Sequence, residues 1–274
     1  MTNKASDPVD SGYVLLDGMK MYYEVYGSGN PLVLIHGGGS TIDTTFSNII
    51  PLLAENRQVI AMELQAHGRS GDRDAPLSFA QSANDVVALM THLGIDKADV
   101  LGFSNGGQVL IEMGLRHAER IRKMILASTF YKRNAAPDSF WNYFEDATLD
   151  TMPAILKDSF LKVNGDPQGL QNMFDKDVRQ MQNFTGWTDE QLQSIGLPVL
   201  IMNATMDVSS MEHAMEMHRN LPHSELVILP GRHGEFLGTL ESLPEGRWTQ
   251  KYVIGLLEQF LGVDGLSQIC PPGA

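Results

Sequence analysis

Residues 100–107 read Val-Leu-Gly-Phe-Ser-Asn-Gly-Gly, and no other run constrains the chain as strongly. Ser104 stands two residues from Gly102 on one side and two from Gly106 on the other. The apolar stretch before it, residues 98–103, suits a buried strand, and residues 108–116 suit a helix. A serine on so sharp a strand-to-helix turn needs small neighbours, because a side chain at position 102 or 106 would push strand and helix apart. The turn lifts the hydroxyl into the open and aims a helix N-terminus at whatever it attacks.

The rest of the chain supplies a setting for that turn. Residues 13–16 and 19–26 are strand-like and flank Asp17-Gly18, the signature of a hairpin. Further strands are expected at residues 31–36, 58–64, 121–128, 198–203 and 226–229, and helices at 46–55, 78–93 and 248–260. Strands alternating with helices predict a parallel sheet covered on both faces, here preceded by an antiparallel edge. The alternation breaks between about residues 130 and 195, where helical runs carry Phe140, Trp141, Tyr143, Phe144, Met152, Phe160, Met173, Phe174, Met181, Phe184 and Trp187. Most of these are expected to pack; the rest suit an adaptable apolar pocket.

Three more motifs fall at strand ends. Val33-Leu-Ile-His36 runs into Gly37-Gly38-Gly39, a loop able to point a backbone N–H at a developing oxyanion. Asp207 lies just past the strand at 198–203, and His233 follows the strand at 226–229 within Pro-Gly-Arg-His-Gly. A serine hydroxyl is a poor nucleophile unless a base stands within hydrogen-bond reach, and an imidazole base needs a carboxylate to fix its tautomer. In the order Ser104, Asp207, His233, these motifs make the chain resemble the α/β-hydrolase superfamily over about residues 13–261, in its serine esterase and cofactor-free haloperoxidase-like branch.

The resemblance implies an α/β fold: a mostly parallel central sheet with helices on both faces and a helical cap insertion. The core would comprise residues 1–130 and 197–274, and the cap residues 131–196. It implies Ser104 as nucleophile, His233 as base and Asp207 as its partner, with the backbone N–H groups of Gly38 and Asn105 forming the oxyanion hole and no cofactor. Some relatives carry the acid after the preceding central strand, but residues 127–130 hold none; Glu235 adjoins the histidine itself. Serine rather than aspartate argues against dehalogenase and epoxide hydrolase chemistry. The expected reaction is cleavage of a small or medium carboxylic ester or lactone. The alternatives are carbon–carbon bond hydrolysis, for which Arg133 or Arg179 would have to meet a substrate carboxylate, perhydrolase chemistry, and a ligand receptor on the same fold. His67 could be a second base or a brace for its loop, and the brace is favoured. Asp43 could meet substrate or cap a helix starting near Thr44, and the cap is favoured.

Composition narrows the partners. The 274 residues carry a formal charge of −13, so neither nucleic acid nor an anionic membrane surface is expected, and a small-molecule substrate is. The single cysteine, Cys270, allows no internal disulfide. His213 and His218 are five apart and share no helix face well, and no Cys/His cluster has zinc spacing, so no metal is expected. No secretory signal or membrane-length apolar run is seen, which makes the expected location cytoplasmic. Oligomeric state, a homodimer included, stays open.

Overall fold

The computed structural model describes residues 7–243 and 250–262; the expected helix start at Trp248 and the Cys270 tail lie outside them. The chain opens with a hairpin, β1 (Asp10–Leu16) and β2 (Met19–Tyr26), turned by Asp17 and Gly18 at φ of 46° and 79°. β3 (Asn30–Ile35) follows, and Leu32, Val33, Leu34 and Ile35 are all fully buried. A strand covered on both faces needs such an unbroken apolar run.

Two short helices come next, α1 (Ile42–Phe46) and α2 (Ile50–Leu53), where the sequence suggests one helix over 46–55. Thr41 starts α1 with a capping box to Thr44, so the helix begins earlier than its apolar content signals, and Asp43 sits inside its first turn rather than capping it. β4 (Arg57–Met62) leads to α3 (Phe79–His92), capped by the Ser78 side chain. β5 (Ala98–Phe103) enters α4 (Asn105–Arg116), and β6 (Ile121–Ala127) follows.

Between β6 and the next strand lie α5 (Asp138–Glu145), α6 (Ala154–Asn164), α7 (Pro167–Gln182) and α8 (Asp189–Gln193). The core then resumes with β7 (Val199–Met206), α9 (Met211–Asn220), β8 (Ser224–Arg232) and α10 (Gln250–Gly262).

The eight strands form one sheet in the order β1-β2-β4-β3-β5-β6-β7-β8. β1–β2 and β2–β4 pair antiparallel; the other pairs are parallel. One face packs Val33, Ile35, Val100 and Leu126 against α3, α4 and α9; the other packs Leu32, Leu34, Leu101 and Ile125 against α1, α2 and α10. A third cluster, with Met152, Leu156, Phe160, Leu170, Met173 and Phe174, holds α6 to α7. Among the described residues no helix is long and apolar enough to cross a membrane. The C-terminal ends of β3, β5, β6, β7 and β8 therefore meet at one edge, beneath the inserted helices.

Candidate active site

Ser104 occupies the turn between β5 and α4 with φ 51° and ψ −118°, a conformation that costs an L-residue energy and persists only where its surroundings enforce it. The glycines enforce it by close approach. A Cβ on Gly102 would lie 2.3 Å from the Gly106 carbonyl oxygen, and one on Gly106 would lie 2.1 Å from that of Ile35. Thr129 Oγ1 donates to the Ser104 carbonyl at 2.8 Å and pins the turn from β6.

The structure brings Ser104, His233 and Asp207 together from three strand ends. His233 Nε2 lies 3.1 Å from Ser104 Oγ, and its Nδ1 lies 2.6 Å from Asp207 Oδ1. With Nδ1–H donating to the carboxylate, Nε2 is the free acceptor that faces the hydroxyl. The Asp207 side chain is fully buried, and its remaining acceptor sites are filled. Oδ1 also takes the Val208 N–H at 2.8 Å; Oδ2 takes the Ser128 hydroxyl at 2.6 Å and the Ala204 N–H at 3.1 Å. Burial pushes the Asp207 pKa up, but the bond and charge of His233, with the Ser128 and Ala204 donors, hold it below the usual carboxylate value. Burial pushes the His233 pKa down, but the Asp207 bond and charge, helped by Glu241, raise it above 6.5. Glu235 takes no part; its carboxylate accepts from the Arg232 N–H at 2.9 Å.

Sequence reasoning does not single out Ser128, which stands just past β6, the position where some relatives carry the acid that Asp207 supplies here. It adopts φ 50° and joins Asp207 to the His233 loop, because its oxygen also accepts the Gly234 N–H at 3.4 Å.

Gly38 and Asn105 line the same cavity as Ser104. A Cβ on Gly38 would touch Asn105 Nδ2 at 3.1 Å, and one on Gly37 would touch Ser104 Cβ at 3.3 Å, so the glycine loop lies directly over the turn. Gly39 is committed elsewhere: its N–H donates to Asp177 Oδ2 at 2.6 Å. Asp177 comes from α7, and sequence reasoning missed it. The available signal is its place in the buried stripe Leu170, Met173, Phe174, Asp177, Met181, where a carboxylate is out of character.

His67 pairs with Asp177 Oδ2 at 3.0 Å through Nε2, while its Nδ1 donates to the Gln65 carbonyl at 2.8 Å. Burial lowers the His67 pKa, but the charge and bond of Asp177 outweigh that and raise it. Nε2 also lies 3.2 Å from the Gly39 N–H, so His67 joins Asp177, the glycine loop and its own loop as a brace. Its neighbour His36 is fully buried and neutral, its pKa lowered to about 3 by burial and by the His67 charge. His36 Nδ1 donates to the Gly37 carbonyl at 2.7 Å and Nε2 accepts the Leu64 N–H at 3.0 Å.

The cavity has a volume of about 280 Å³. Phe103, Phe130, Phe140, Phe144, Met152, Leu156, Phe174, Val178, Met181 and Val208 give it apolar walls; Asn105, Gln108, Tyr143, Asp177 and Glu241 give it polar points. It adjoins an outer cleft of about 500 Å³ and shares Pro153, Val208, His233 and Glu241 with it. A larger groove, about 690 Å³, runs between residues 74–80 and the end of α7 and contains none of Ser104, Asp207 and His233. Arg179 lines that outer groove, and Arg133 stacks over the Trp141 ring at 4.1 Å; neither lines the cavity. Among the described residues no three His, Cys, Asp or Glu side chains converge in a way that could hold a metal ion.

Known proteins share this architecture. The chain is 30% identical over 138 residues to 2-hydroxymuconate semialdehyde hydrolase of Pseudomonas sp. (strain CF600), a stretch that is 47% of this chain and 48% of that protein. It is 33% identical over 126 residues to soluble epoxide hydrolase of Corynebacterium sp. (strain C12), covering 46% of this chain and 44% of that one. The match thus spans about half the length of these curated relatives or less. In fold the chain is similar to 2-hydroxy-6-oxo-6-phenylhexa-2,4-dienoate hydrolase from Rhodococcus sp. strain RHA1, with a TM-score of 0.76 at 21% identity over 93% of this chain and 99% of that one. Residues 30–170 match the family model for the alpha/beta hydrolase fold, and with strand order, elbow turn and inserted helices in agreement, the chain belongs to the alpha/beta hydrolase family.

Proposed function

We propose that this protein is a serine hydrolase of small or medium neutral carboxylic esters or lactones, acting through an acyl-enzyme on Ser104. The observation that carries the reading is the unbroken relay from Ser104 Oγ to His233 Nε2 at 3.1 Å and from His233 Nδ1 to Asp207 at 2.6 Å. His233 Nε2 takes the Ser104 proton as Oγ bonds to the substrate carbonyl carbon. Charge develops on the carbonyl oxygen, which the N–H groups of Gly38 and Asn105 receive; one such donor is worth about 3–4 kcal/mol in comparable sites. Collapse of the tetrahedral species breaks the ester bond, and the proton held on His233 passes to the leaving alcohol. Water then gives its proton to His233 and its oxygen to the acyl carbon, freeing acid and Ser104. The pair of Asp207 and imidazolium carries no net charge, which suits a site enclosed by aromatic walls.

Carbon–carbon bond cleavage of an anionic dienoate is the competing reading on the same three residues. The lining speaks against it. Among the described residues that form the cavity there is no lysine or arginine, whereas two carboxylates, Asp177 and Glu241, are present. An anionic substrate would meet the negative charge of those two carboxylates. Ser104, in place of an aspartate, likewise argues against epoxide opening.

The test compares p-nitrophenyl butyrate with its carboxylate-ended analogue p-nitrophenyl hemisuccinate, in the wild type and in Ser104→Ala. The reading expects turnover of the butyrate, a preference of about tenfold or more for it over the hemisuccinate, and a loss of about a thousandfold or more in Ser104→Ala. Equal turnover by Ser104→Ala, or preference for the anionic ester, overturns it.

A further inference from the structure

Three glycines in a row leave the loop after β3 free to move unless something holds it, and Gly39 sits at φ 65°. Part of what holds it comes from α7. The Gly39 N–H donates to Asp177 Oδ2 at 2.6 Å, and His67 Nε2 lies 3.2 Å from the same N–H. One turn further along α7, the half-buried Gln180 offers its Oε1 to Asn105 Nδ2 at 3.2 Å. Residues three apart share a helix face, so one face of α7 reaches both the glycine loop and the residue after the nucleophile.

The Asn105 side chain is the spacer between the two. It is buried, and a Cβ on Gly38 would lie 3.1 Å from its Nδ2 and 3.4 Å from Asp177 Oδ2. The contacts close a ring: Asp177 to Gly39, the loop back to Gly38, Gly38 to the Asn105 amide, Asn105 to Gln180, and α7 back to Asp177. Gly38 and Asn105, the two residues whose N–H groups are assigned to the oxyanion, are both members of this ring. Donors stabilise a developing oxyanion most when they are fixed before it forms, so their separation matters. Gln180 lies in the outer groove and not in the cavity, so it acts only through Asn105.

We infer that Asp177 and Gln180 are positioning residues that fix, from α7, the separation of the two oxyanion donors at Gly38 and Asn105. This rests on the ester-hydrolase reading above. Phe174, Val178 and Met181 of α7 also wall the cavity, so the helix that encloses the substrate sets the oxyanion hole as well. A second tie of α7 to the core, Lys176 Nζ to Asp72 Oδ2 at 2.6 Å, contacts neither the loop nor the turn and serves as a control.

The experiment measures kcat and KM for p-nitrophenyl butyrate and the inhibition constant of 1,1,1-trifluoropentan-2-one. That ketone carries the same propyl chain and becomes an oxyanion when Ser104 adds to its carbonyl. Gln180→Met keeps the side-chain length and removes the acceptor for Asn105. Asp177→Leu removes the acceptor for Gly39, and Asp177→Asn returns one. Asn105→Ala, alone and with Gln180→Met, completes a double-mutant cycle, and Lys176→Met loosens α7 at Asp72 instead. The inference expects kcat to fall about tenfold in Gln180→Met and about 30-fold in Asp177→Leu, with KM held within about twofold. The inhibition constant of the ketone should rise by the same factors, because the ketone adduct resembles the transition state. Asp177→Asn should recover most of the loss seen in Asp177→Leu. Gln180→Met should add nothing in the Asn105→Ala background, and Lys176→Met should stay within about twofold of wild type. A Gln180→Met kcat within about twofold of wild type, an undiminished fall in the Asn105→Ala background, an unmoved inhibition constant, or an equal fall in Lys176→Met overturns the inference. A wild type that neither turns over the ester nor binds the ketone overturns the hydrolase reading, and the inference with it.

Discussion

Replacing Asp207 by asparagine removes one charge and exchanges one carboxylate oxygen for an amide nitrogen. All four contacts of Asp207 come from donors: His233 and Val208 on Oδ1, Ser128 and Ala204 on Oδ2. An amide N–H₂ on the Oδ1 side would lose the Val208 N–H and force His233 Nδ1 to accept. The imidazole proton would then sit on Nε2, which could no longer take the Ser104 proton. The opposite orientation costs only the Ala204 bond and a turn of the Ser128 hydroxyl, so it is preferred. In that orientation the tautomer survives, but the imidazolium formed at the transition state loses its countercharge at 2.6 Å. Comparable triads forced into the wrong tautomer lose about 10⁴-fold in kcat; with the tautomer kept and only the countercharge lost, a smaller fall of about 10²- to 10³-fold is expected here. The pH profile moves as well. His233 must be neutral to act as base, and its raised pKa keeps the inactive protonated form present to higher pH, so the wild-type rate rises along a limb above pH 6.5. Without the Asp207 charge, burial dominates and the limb moves to lower pH. Ester hydrolysis followed from pH 5 to 9 in both proteins measures both effects. A variant within tenfold of wild type, with its acid limb unmoved, would refute the reasoning.

Gly106→Ala should cost about 3 kcal/mol or more in stability and about a hundredfold in kcat, because its Cβ would lie 2.1 Å from the Ile35 carbonyl and must push α4 outward by about 1 Å. Gly255→Ala, with open space at its Cβ, is the control and should leave the melting temperature equal or higher; equal behaviour of the two variants would contradict the packing argument. Ser128→Ala removes a hydroxyl bonded to a buried carboxylate and should lower kcat about tenfold with little change in KM; a kcat within twofold of wild type removes Ser128 from the site's support. His36, at about 3 in the fold against 6.5 in the unfolded chain, contributes stability that is complete above pH 6.5 and is lost as pH falls toward 3. By pH 5 that loss is about 2 kcal/mol, at 1.36 kcal/mol per pH unit below 6.5. Urea denaturation at pH 7 and pH 5 should show it in the wild type and not in His36→Gln, and an identical pH dependence in the two would count against it.

What the sequence reveals here is local or periodic. The elbow is legible because Gly102, Ser104 and Gly106 lie within five residues and each is required by contacts of the same turn. The strands beneath it are legible because a strand buried on both faces leaves a continuous apolar run. Asp207 and His233 are legible as loop residues just past such runs, although their meeting across 26 positions is a product of β7 pairing with β8. The single helix expected over 46–55 divides because Thr41 caps an earlier start and Pro51 opens a second turn, details weaker than the apolar content that suggests one helix. Asp177 stays hidden because its partners, Gly39 and His67, lie 138 and 110 positions away, and nothing in the pattern of α7 says which way its polar member turns. Arg133 and Arg179 look alike as candidates in sequence; only packing sends one onto Trp141 and the other to the outer groove.

An activated serine can be detected without knowing the substrate. Incubation of the folded protein with a fluorophosphonate probe, followed by peptide mass spectrometry, reads the state of Ser104 alone. The relay from Ser104 through His233 to Asp207 predicts a single adduct on Ser104 that is lost in His233→Ala. An unlabelled Ser104 in folded protein, or labelling at the same rate in His233→Ala, would contradict it.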